Sequence, residues 1–452
     1  MADRHTDTIA AVATPAGRGG VGIIRLSGPN AGAIARQLTG RPVPARRASY
    51  RAFLDAGHQV LDRGIALYFP APNSFTGEDV LELQGHGGPA VLDRIMAAVL
   101  AAGARPARAG EFSERAFING KLDLAQAEAV ADLIAADSHA AAGAAMRSLD
   151  GAFSREVDAL LDQLVELRVY VEAALDFPDE EIDFLAEGAV ADRAVALGKS
   201  ITGLLSRARS GAALQDGFRV VIAGKPNAGK SSLLNRLARR DVAIVTDIPG
   251  TTRDVLEQSI NLDGLPLQLI DTAGLRRDSE DLIEQEGMRR AHEQFGRAQH
   301  LLLVADDREA GPADVAALRS ELSLPGDLPT TLLLNKCDLS GHAAGPLRAG
   351  DGLRLSALTG DGVDQLVMRL HRLAGLEGDM ASTLGARRRH VDALQRTARH
   401  VAQGVLVLKE TGAGELLAQE LGDAQQALGE ITGRFHSEDL LGAIFSSFCI
   451  GK

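Results

Sequence analysis

Over residues 1 to about 120 the apolar positions fall in short runs broken by turn residues, at Thr8–Ala13, Gly22–Leu26, Gly64–Tyr68 and Asp79–Gln84, and a helical pattern opens near Pro89. Such runs build strands, so an N-terminal α+β domain is expected. From about Asp123 the period becomes helical. Asp123 and Gln126 form an acidic version of the capping box, after which Leu124, Ala127, Ala131 and Ile134 line one face. Val157, Leu160, Leu161, Leu164, Leu167, Val171 and Leu175 then recur at spacings of three and four, which predicts a bundle helix that Phe177-Pro178 stops.

Near Gly217 the pattern switches to β-run, Gly-rich loop and helix, repeated to about Leu376, the mark of a parallel-sheet α/β domain. Helical spacing returns with Leu417, Leu421, Ala424, Leu428 and Ile431. Because helical segments flank the α/β unit on both sides, the economical architecture is multidomain. An N-terminal α+β domain (1–121) precedes an all-α helical domain in two parts (122–216 and 378–452), into which an α/β domain (217–377) is inserted. There is no internal repeat, heptad array or low-complexity tract.

Composition narrows the class. The 452 residues, with 45% hydrophobic and 24% charged positions, can bury a sizeable core and exclude wholesale disorder. Two cysteines, Cys337 and Cys449, cannot form a disulfide framework, and no CxxC or His/Cys cluster offers a zinc site, so a reducing cytoplasm is expected. The polar N-terminus and the lack of a long apolar run predict neither secretion nor membrane spanning. A net charge of −12 means that a nucleic-acid partner needs a local basic patch or a helper protein. Arg46, Arg47 and Arg51 are one candidate and Arg387-Arg388-Arg389-His390 another, the alternative for each being a solvated face.

The chemistry lies in the α/β segment. The buried-strand run Phe218–Ala223 feeds into Gly224-Lys225-Pro226-Asn227-Ala228-Gly229-Lys230-Ser231-Ser232 and an apolar helix start at Leu233-Leu234. This is G-x-x-x-x-G-K-[ST] in the strand-loop-helix setting a phosphate loop requires. Its glycines let backbone N–H groups wrap the phosphates, Lys230 adds charge on the β/γ oxygens, and the Ser231 hydroxyl can ligate Mg²⁺. A second strand, Leu267–Ile270, delivers Asp271-Thr272-Ala273-Gly274, where Asp271 can hold Mg²⁺ through water and the Gly274 N–H can sense the γ-phosphate. Asp263-Gly264, between Ser259–Leu262 and that strand, suits an antiparallel hairpin. A third strand, Thr331–Leu334, delivers Asn335-Lys336-Cys337-Asp338. The Asp338 carboxylate can accept both N–H groups of guanine's Watson–Crick edge, whereas adenine would oppose it with an acceptor, which selects GTP over ATP. Ser356-Ala357-Leu358 follows another strand and fits a loop that closes over the base.

The order of these four motifs resembles that of small Ras-like GTP-hydrolysing proteins. Those proteins place a water-orienting Gln after the DxxG glycine, but here the position is Leu275. Hydrolysis must recruit another residue, or the domain is a slow binder. The segment from Asp241 to Asp254 carries Thr246, Asp247, Ile248, Pro249, Gly250, Thr251 and Thr252 in its turn-rich second half, a switch loop in which Thr252 is the candidate Mg²⁺ hydroxyl. Gly250-Thr251-Thr252-Arg253-Asp254, with a P-loop Asn and an apolar residue after DTAG, looks like the TrmE/Era-type GTPases. That resemblance implies K⁺ held by Asn227, Thr246, Ile248 and Thr251 where other GTPases place an arginine finger. The plain alternative is that Asn227 is a turn-tolerant residue. It also implies a catalytic role for Glu284, which resembles the family glutamate that activates water through a second water. This stretch carries one extra residue relative to the pattern, and Glu284 could instead be one exposed acid beside Glu280, Asp281 and Glu286.

The flanks resemble the tRNA-modification GTPase family MnmE, also called TrmE, along essentially the whole chain. The matching segments are Thr14–Arg25, Phe75–Asp79 with Gly85–Gly88, Lys121–Glu128 and the closing Phe448-Cys449-Ile450-Gly451-Lys452. The resemblance implies a homodimer formed through the N-terminal domains and a tetrahydrofolate one-carbon donor, as the 5,10-methylene or 5-formyl derivative. It further implies modification at C5 of the wobble uridine of certain tRNAs together with the FAD-dependent partner MnmG. Folate contacts would then fall on Arg25, Glu82, Lys121 and Lys452, where Arg and Lys suit the glutamate tail and a carboxylate suits the pterin N–H groups. Ordinary surface ion pairs are the alternative. Cys449 is a candidate thiol without a placed base. The competing function is an Era-type RNA-binding regulatory switch in ribosome assembly. Retention of wobble-uridine modification after deletion would favour it.

Overall fold

The computed structural model describes residues 7–136, 138–176, 189–239, 257–271, 298–311, 314–322, 324–326, 328–347, 352–376, 383–435, 438–448 and 451. The chain divides into two compact units. One holds residues 1–135, 148–198 and 396–452, and the other holds 136–147 and 199–395.

The first unit opens with β1 (Ile9–Val12), β2 (Gly19–Ser27), α1 (Ala31–Thr39), β3 (Ser49–Leu54), β4 (Val60–Phe69), β5 (Val80–Gly87), α2 (Pro89–Ala101) and β6 (Arg105–Pro106). The strands form one sheet in the order β3-β4-β5-β2-β1-β6, antiparallel except where β6 joins β1. Alternate residues of each strand face α1 and α2, so Ile24, Leu26, Leu81 and Leu83 meet Ile34, Leu38, Ile95 and Val99 in a common core. The four runs expected as strands and the helix at Pro89 are all present. β3 is an addition, an edge strand in which Ser49 is buried and Tyr50 exposed, so its apolar residues do not alternate with its burial.

Helices continue the unit: α3 (Glu111–Ile118), α4 (Leu124–Ala135), then α5 (His139–Leu149), α6 (Ala152–Asp176) and α7 (Ala189–Asp216), of which α5 and α7 also supply residues to the second unit. The capping box at α4 forms as expected. Gln126 N–H donates to Asp123 Oδ1 at 2.8 Å, and Asp123 N–H donates to Gln126 Oε1 at 3.0 Å. Leu124 and Ala127 are fully buried, but Ile134 is 54% exposed, because the last turn of α4 runs past the layer that its first turns pack against. Along α6, Val157 through Val171 of the expected stripe are buried and Leu175 is half-buried. The end signal Phe177-Pro178 lies outside the described residues.

The second unit contains β7 (Phe218–Gly224), α8 (Lys230–Ala238), β8 (Glu257–Leu262), β9 (Leu265–Asp271), β10 (His300–Asp306), α9 (Val315–Glu321), β11 (Thr330–Asn335), α10 (Cys337–Ser340), β12 (Gly345–Pro346), β13 (Gly352–Arg354) and α11 (Val363–Leu373). The sheet order is β12-β13-β11-β10-β7-β9-β8, with five parallel strands between two antiparallel edges. Val220 to Ile222, Leu301 to Ala305 and Leu332 to Leu334 are buried on both faces, as parallel strands require. The expected hairpin joins β8 and β9 through Asp263 (φ 51°) and Gly264 (φ 95°), both left-handed as a two-residue type I′ loop demands.

Three further helices follow: α12 (Arg388–Thr411), α13 (Gly414–Thr432) and α14 (Glu438–Ser446). The fully buried stripe Leu417, Leu421, Ala424, Leu428 and Ile431 of α13 packs on α6 in the first unit. Among the described residues no helix is long and apolar enough to cross a membrane.

Candidate guanine-nucleotide site

β7 runs out of the sheet into the Gly-rich loop, which reverses through Asn227 at φ 62° and Gly229 at φ 96° before α8 begins at Lys230. Gly229 is required twice over: its φ is left-handed, and a Cβ there would lie 2.1 Å from Asn335 Nδ2. The Lys230 ammonium donates to the carbonyls of Gly224 at 2.8 Å and Lys225 at 2.9 Å, so it lies over the loop. Phosphate oxygens can replace those carbonyls as acceptors. Ser231 and Ser232 stand exposed in the first turn of α8, whose N–H groups have no intrahelical partner and carry the positive end of the helix dipole. A cavity of about 370 Å³ flanks the loop, with Lys225, Asn227, Asp306, Arg308 and Lys336 among its lining residues.

The base-recognition motifs converge on Asn335. Its Nδ2 donates to the Ala228 carbonyl at 2.8 Å, and its Oδ1 accepts from the Ala357 N–H at 2.9 Å. One buried amide therefore ties the phosphate loop to the Ser356–Leu358 loop. Arg236 of α8 adds a second tie, with Nε donating to the Ala357 carbonyl at 3.0 Å and Nη2 to the Leu358 carbonyl. Ser356 is buried, Leu358 is exposed, and Asp338 stands exposed in the first turn of α10. Lys336, left-handed at φ 68°, sends its ammonium to Asp306 Oδ2 at 2.8 Å, and Arg308 meets the same oxygen at 2.7 Å. Arg308 first, then Lys336, hold the Asp306 carboxyl well below the usual carboxylate range against the opposing effect of burial. Burial, and then the neighbouring Asp338 charge, push the thiol of the buried Cys337 up.

Sequence reasoning missed Asp306, Asp307, Arg236 and Arg354. None belongs to a nucleotide motif, and Asp306 ends and Asp307 follows β10, a strand not singled out by its pattern. Of the expected site residues, Thr246 to Thr252, Thr272 to Gly274, Glu284, Cys449 and Lys452 lie outside the described residues. Asp271 ends β9, its backbone paired in register with Ile222.

In the first unit Arg25 and Glu82 are cross-strand partners on β2 and β5, joined by Nε–Oε1 and Nη2–Oε1 contacts of 3.0 and 2.9 Å. The Arg25 guanidinium lies 5.8 Å from the Phe75 ring centroid and 6.0 Å from that of Phe112. With side chains 26% and 15% exposed, Arg25 and Glu82 form the ion pair that the sequence kept open as an alternative. Lys121 is exposed just after α3. The basic candidates differ: Arg46 and Arg47 are exposed, with Arg46 donating to the Asn73 carbonyl, whereas His390 is buried and its Nδ1 accepts from the Arg387 N–H at 3.0 Å.

A five-strand parallel sheet led by a phosphate loop, with an Asn-Lys-x-Asp turn and a base loop laced to it, defines a Ras-like P-loop GTPase domain. Residues 8–121 match the family profile described as the GTP-binding protein TrmE N-terminus, and residues 124–449 match the MnmE helical domain. The tRNA modification GTPase MnmE of Alkalilimnicola ehrlichii is 58% identical over 447 residues, 98% of this chain and 99% of that protein. Its namesake from Pseudomonas aeruginosa is 56% identical over 452 residues, 99% of each. The G domain of the T. maritima FeoB iron transporter matches at 25% identity and a TM-score of 0.25, covering 35% of this chain and 98% of that one. The chain belongs to the MnmE/TrmE family of tRNA modification GTPases.

Proposed function

We propose that this protein hydrolyses GTP in a K⁺-stimulated cycle and, as a homodimer working with the flavoprotein MnmG, drives folate-dependent modification at C5 of the wobble uridine of certain tRNAs in the cytoplasm. The modification adds an aminomethyl or carboxymethylaminomethyl group. The observation that carries this reading is the Asn335 amide, which laces the phosphate loop to the base loop in a chain whose relatives are named for tRNA modification over nearly their whole length.

In this reading Lys230 and the N–H groups of Asn227 to Ser232 hold the phosphates, and Asp338 reads the base. Ser231 and Thr252 are the Mg²⁺ ligands, and Asn227, Thr246, Ile248 and Thr251 are the K⁺ ligands. When bound, K⁺ would supply positive charge where other GTPases place an arginine finger, part of the roughly 10³ to 10⁵-fold such a finger gives. Glu284 activates the attacking water through a second water. Arg25, Glu82, Lys121 and Lys452 hold a tetrahydrofolate derivative, which would supply the one-carbon unit, and Cys449, three residues before Lys452, is a candidate thiol. The division into 1–121, 122–216, 217–377 and 378–452 assigns folate binding and dimerisation to the first segment.

The test compares GTP turnover in KCl and NaCl with and without Glu284→Gln, and analyses tRNA nucleosides from a deletion strain. Faster turnover in KCl, a variant that binds GTP without hydrolysing it, and loss of the modified uridine are expected. Equal rates in both salts would remove K⁺ from the mechanism, and intact modification would overturn the tRNA assignment.

A further inference from the structure

A carboxylate outside every nucleotide motif joins the segments around the base. Asp307 follows β10 with a side chain 1% exposed. Its Oδ1 accepts from Arg354 Nε at 2.7 Å, and its Oδ2 accepts from the Ser340 hydroxyl and from His342 Nδ1 at 2.8 Å. Its own N–H donates to the Asn335 carbonyl at 2.8 Å. These partners are not scattered. Ser340 ends α10, whose first turn carries Asp338, and His342 lies two residues on. Arg354 ends β13 and leads within two residues to Ser356. Asn335 is the residue that grips both the phosphate loop and Ala357.

We propose that Asp307 is a positioning residue for guanine recognition, clamping the Asp338 turn and the Ser356–Leu358 loop at a fixed separation before the base arrives. The proposal rests on the reading of Asp338 as the residue that reads guanine. Burial raises the proton affinity of Asp307, but Ser340, Arg354 and His342 together offset it and hold the carboxyl below its ordinary range. An ionised carboxylate only accepts, so the shared proton belongs to His342 Nδ1. Three donors on one buried anion form a stiff node, and fixing two loops in advance lowers the ordering cost of binding. Asp306 acts separately, through Lys336. Among the described residues the Asp307 side chain bonds Ser340, His342 and Arg354 and no motif side chain, so its effect reaches the base through the segments those partners belong to.

Asp307→Asn keeps the size but turns an amide N–H₂ toward donors. In the full-length protein we expect it to weaken binding of a fluorescent GDP analogue by about tenfold and to raise KM for GTP by the same factor. The loss should fall on KM and not on kcat, and the preference for GTP over ATP should shrink. A merely structural role would lower the melting temperature and leave that preference intact. Guanine-nucleotide affinity equal to wild type, or a loss confined to kcat, would overturn the proposal. Should Asp307→Asn fail to fold, His342→Ala removes one arm from an exposed ring. A KM rise of about two- to threefold is then expected, and an unchanged KM overturns. Asp338→Asn separates the two readings by shifting preference toward xanthine nucleotides. If it does not, the guanine assignment and this proposal fall together, whereas a shift with Asp307→Asn unaffected removes only the clamp.

Discussion

Replacing Asn335 with alanine is expected to leave the Ala228 carbonyl and the Ala357 N–H, both inside the domain, without their partners. Each buried group so stranded costs about 1–3 kcal/mol. The urea midpoint of the second unit should fall accordingly and nucleotide binding should weaken with it. A midpoint equal to wild type would show that water or a neighbour replaces the amide. At this scale the motifs made the loop geometry legible: Lys230 opens α8 over the Gly-rich loop, and Asn335 ends β11 with Lys336 and Asp338 following it. They did not reveal that Asn335 spends its amide on the protein itself. Nor did they point to Asp307, whose partners at 340, 342 and 354 are near only once β10, β11 and β13 lie side by side.

Local signals governed the elements that could be read in advance. The Asp123–Gln126 box is legible because its two bonds span three residues, and Asp123→Ala is expected to cost about 1 kcal/mol of stability in a denaturant titration. β3 and β10 were harder for different reasons, the first because its apolar residues do not alternate with its burial at the sheet edge and the second because it lies outside any motif. A different prediction belongs to α3. Buried Glu111 takes Arg105 at 2.5 Å and Arg115 at 3.2 Å, and Arg115 also holds Asp7 and Glu78. Burial alone would raise the Glu111 carboxyl, but hydrogen bonds led by Arg105 bring it down to about 2 from 4.5. A depressed carboxyl stabilises the fold in full above its unfolded value, so this contribution is intact above pH 4.5 and drains as the pH falls through about 2. Acid titration followed by circular dichroism should show Glu111→Gln to be less stable than wild type at pH 7, with the difference closing toward pH 2. A constant difference across that window would refute the linkage.

For the molecule as a whole, the stretch that carries the phosphate loop sits between chain segments that belong to a different compact unit. Truncation after residue 395 removes α13, the partner of α6. The face of α6 that packs on α13 then loses its cover, at about 1.5–3 kcal/mol for each large apolar side chain returned to water. Such a fragment is expected to bind a hydrophobic dye and to aggregate on size-exclusion chromatography, whereas a monodisperse fragment would show that α6 finds other cover.

The same arrangement sets a schedule for synthesis. A ribosome extrudes α6 long before α13 is translated, and at about 5–20 residues per second the wait is roughly ten to fifty seconds. During that interval an oily seam stands open while the GTPase sheet, nearly contiguous in the message, can fold. Trigger-type chaperones that shield nascent apolar helices are therefore expected to matter more for the yield of this protein than its final stability suggests.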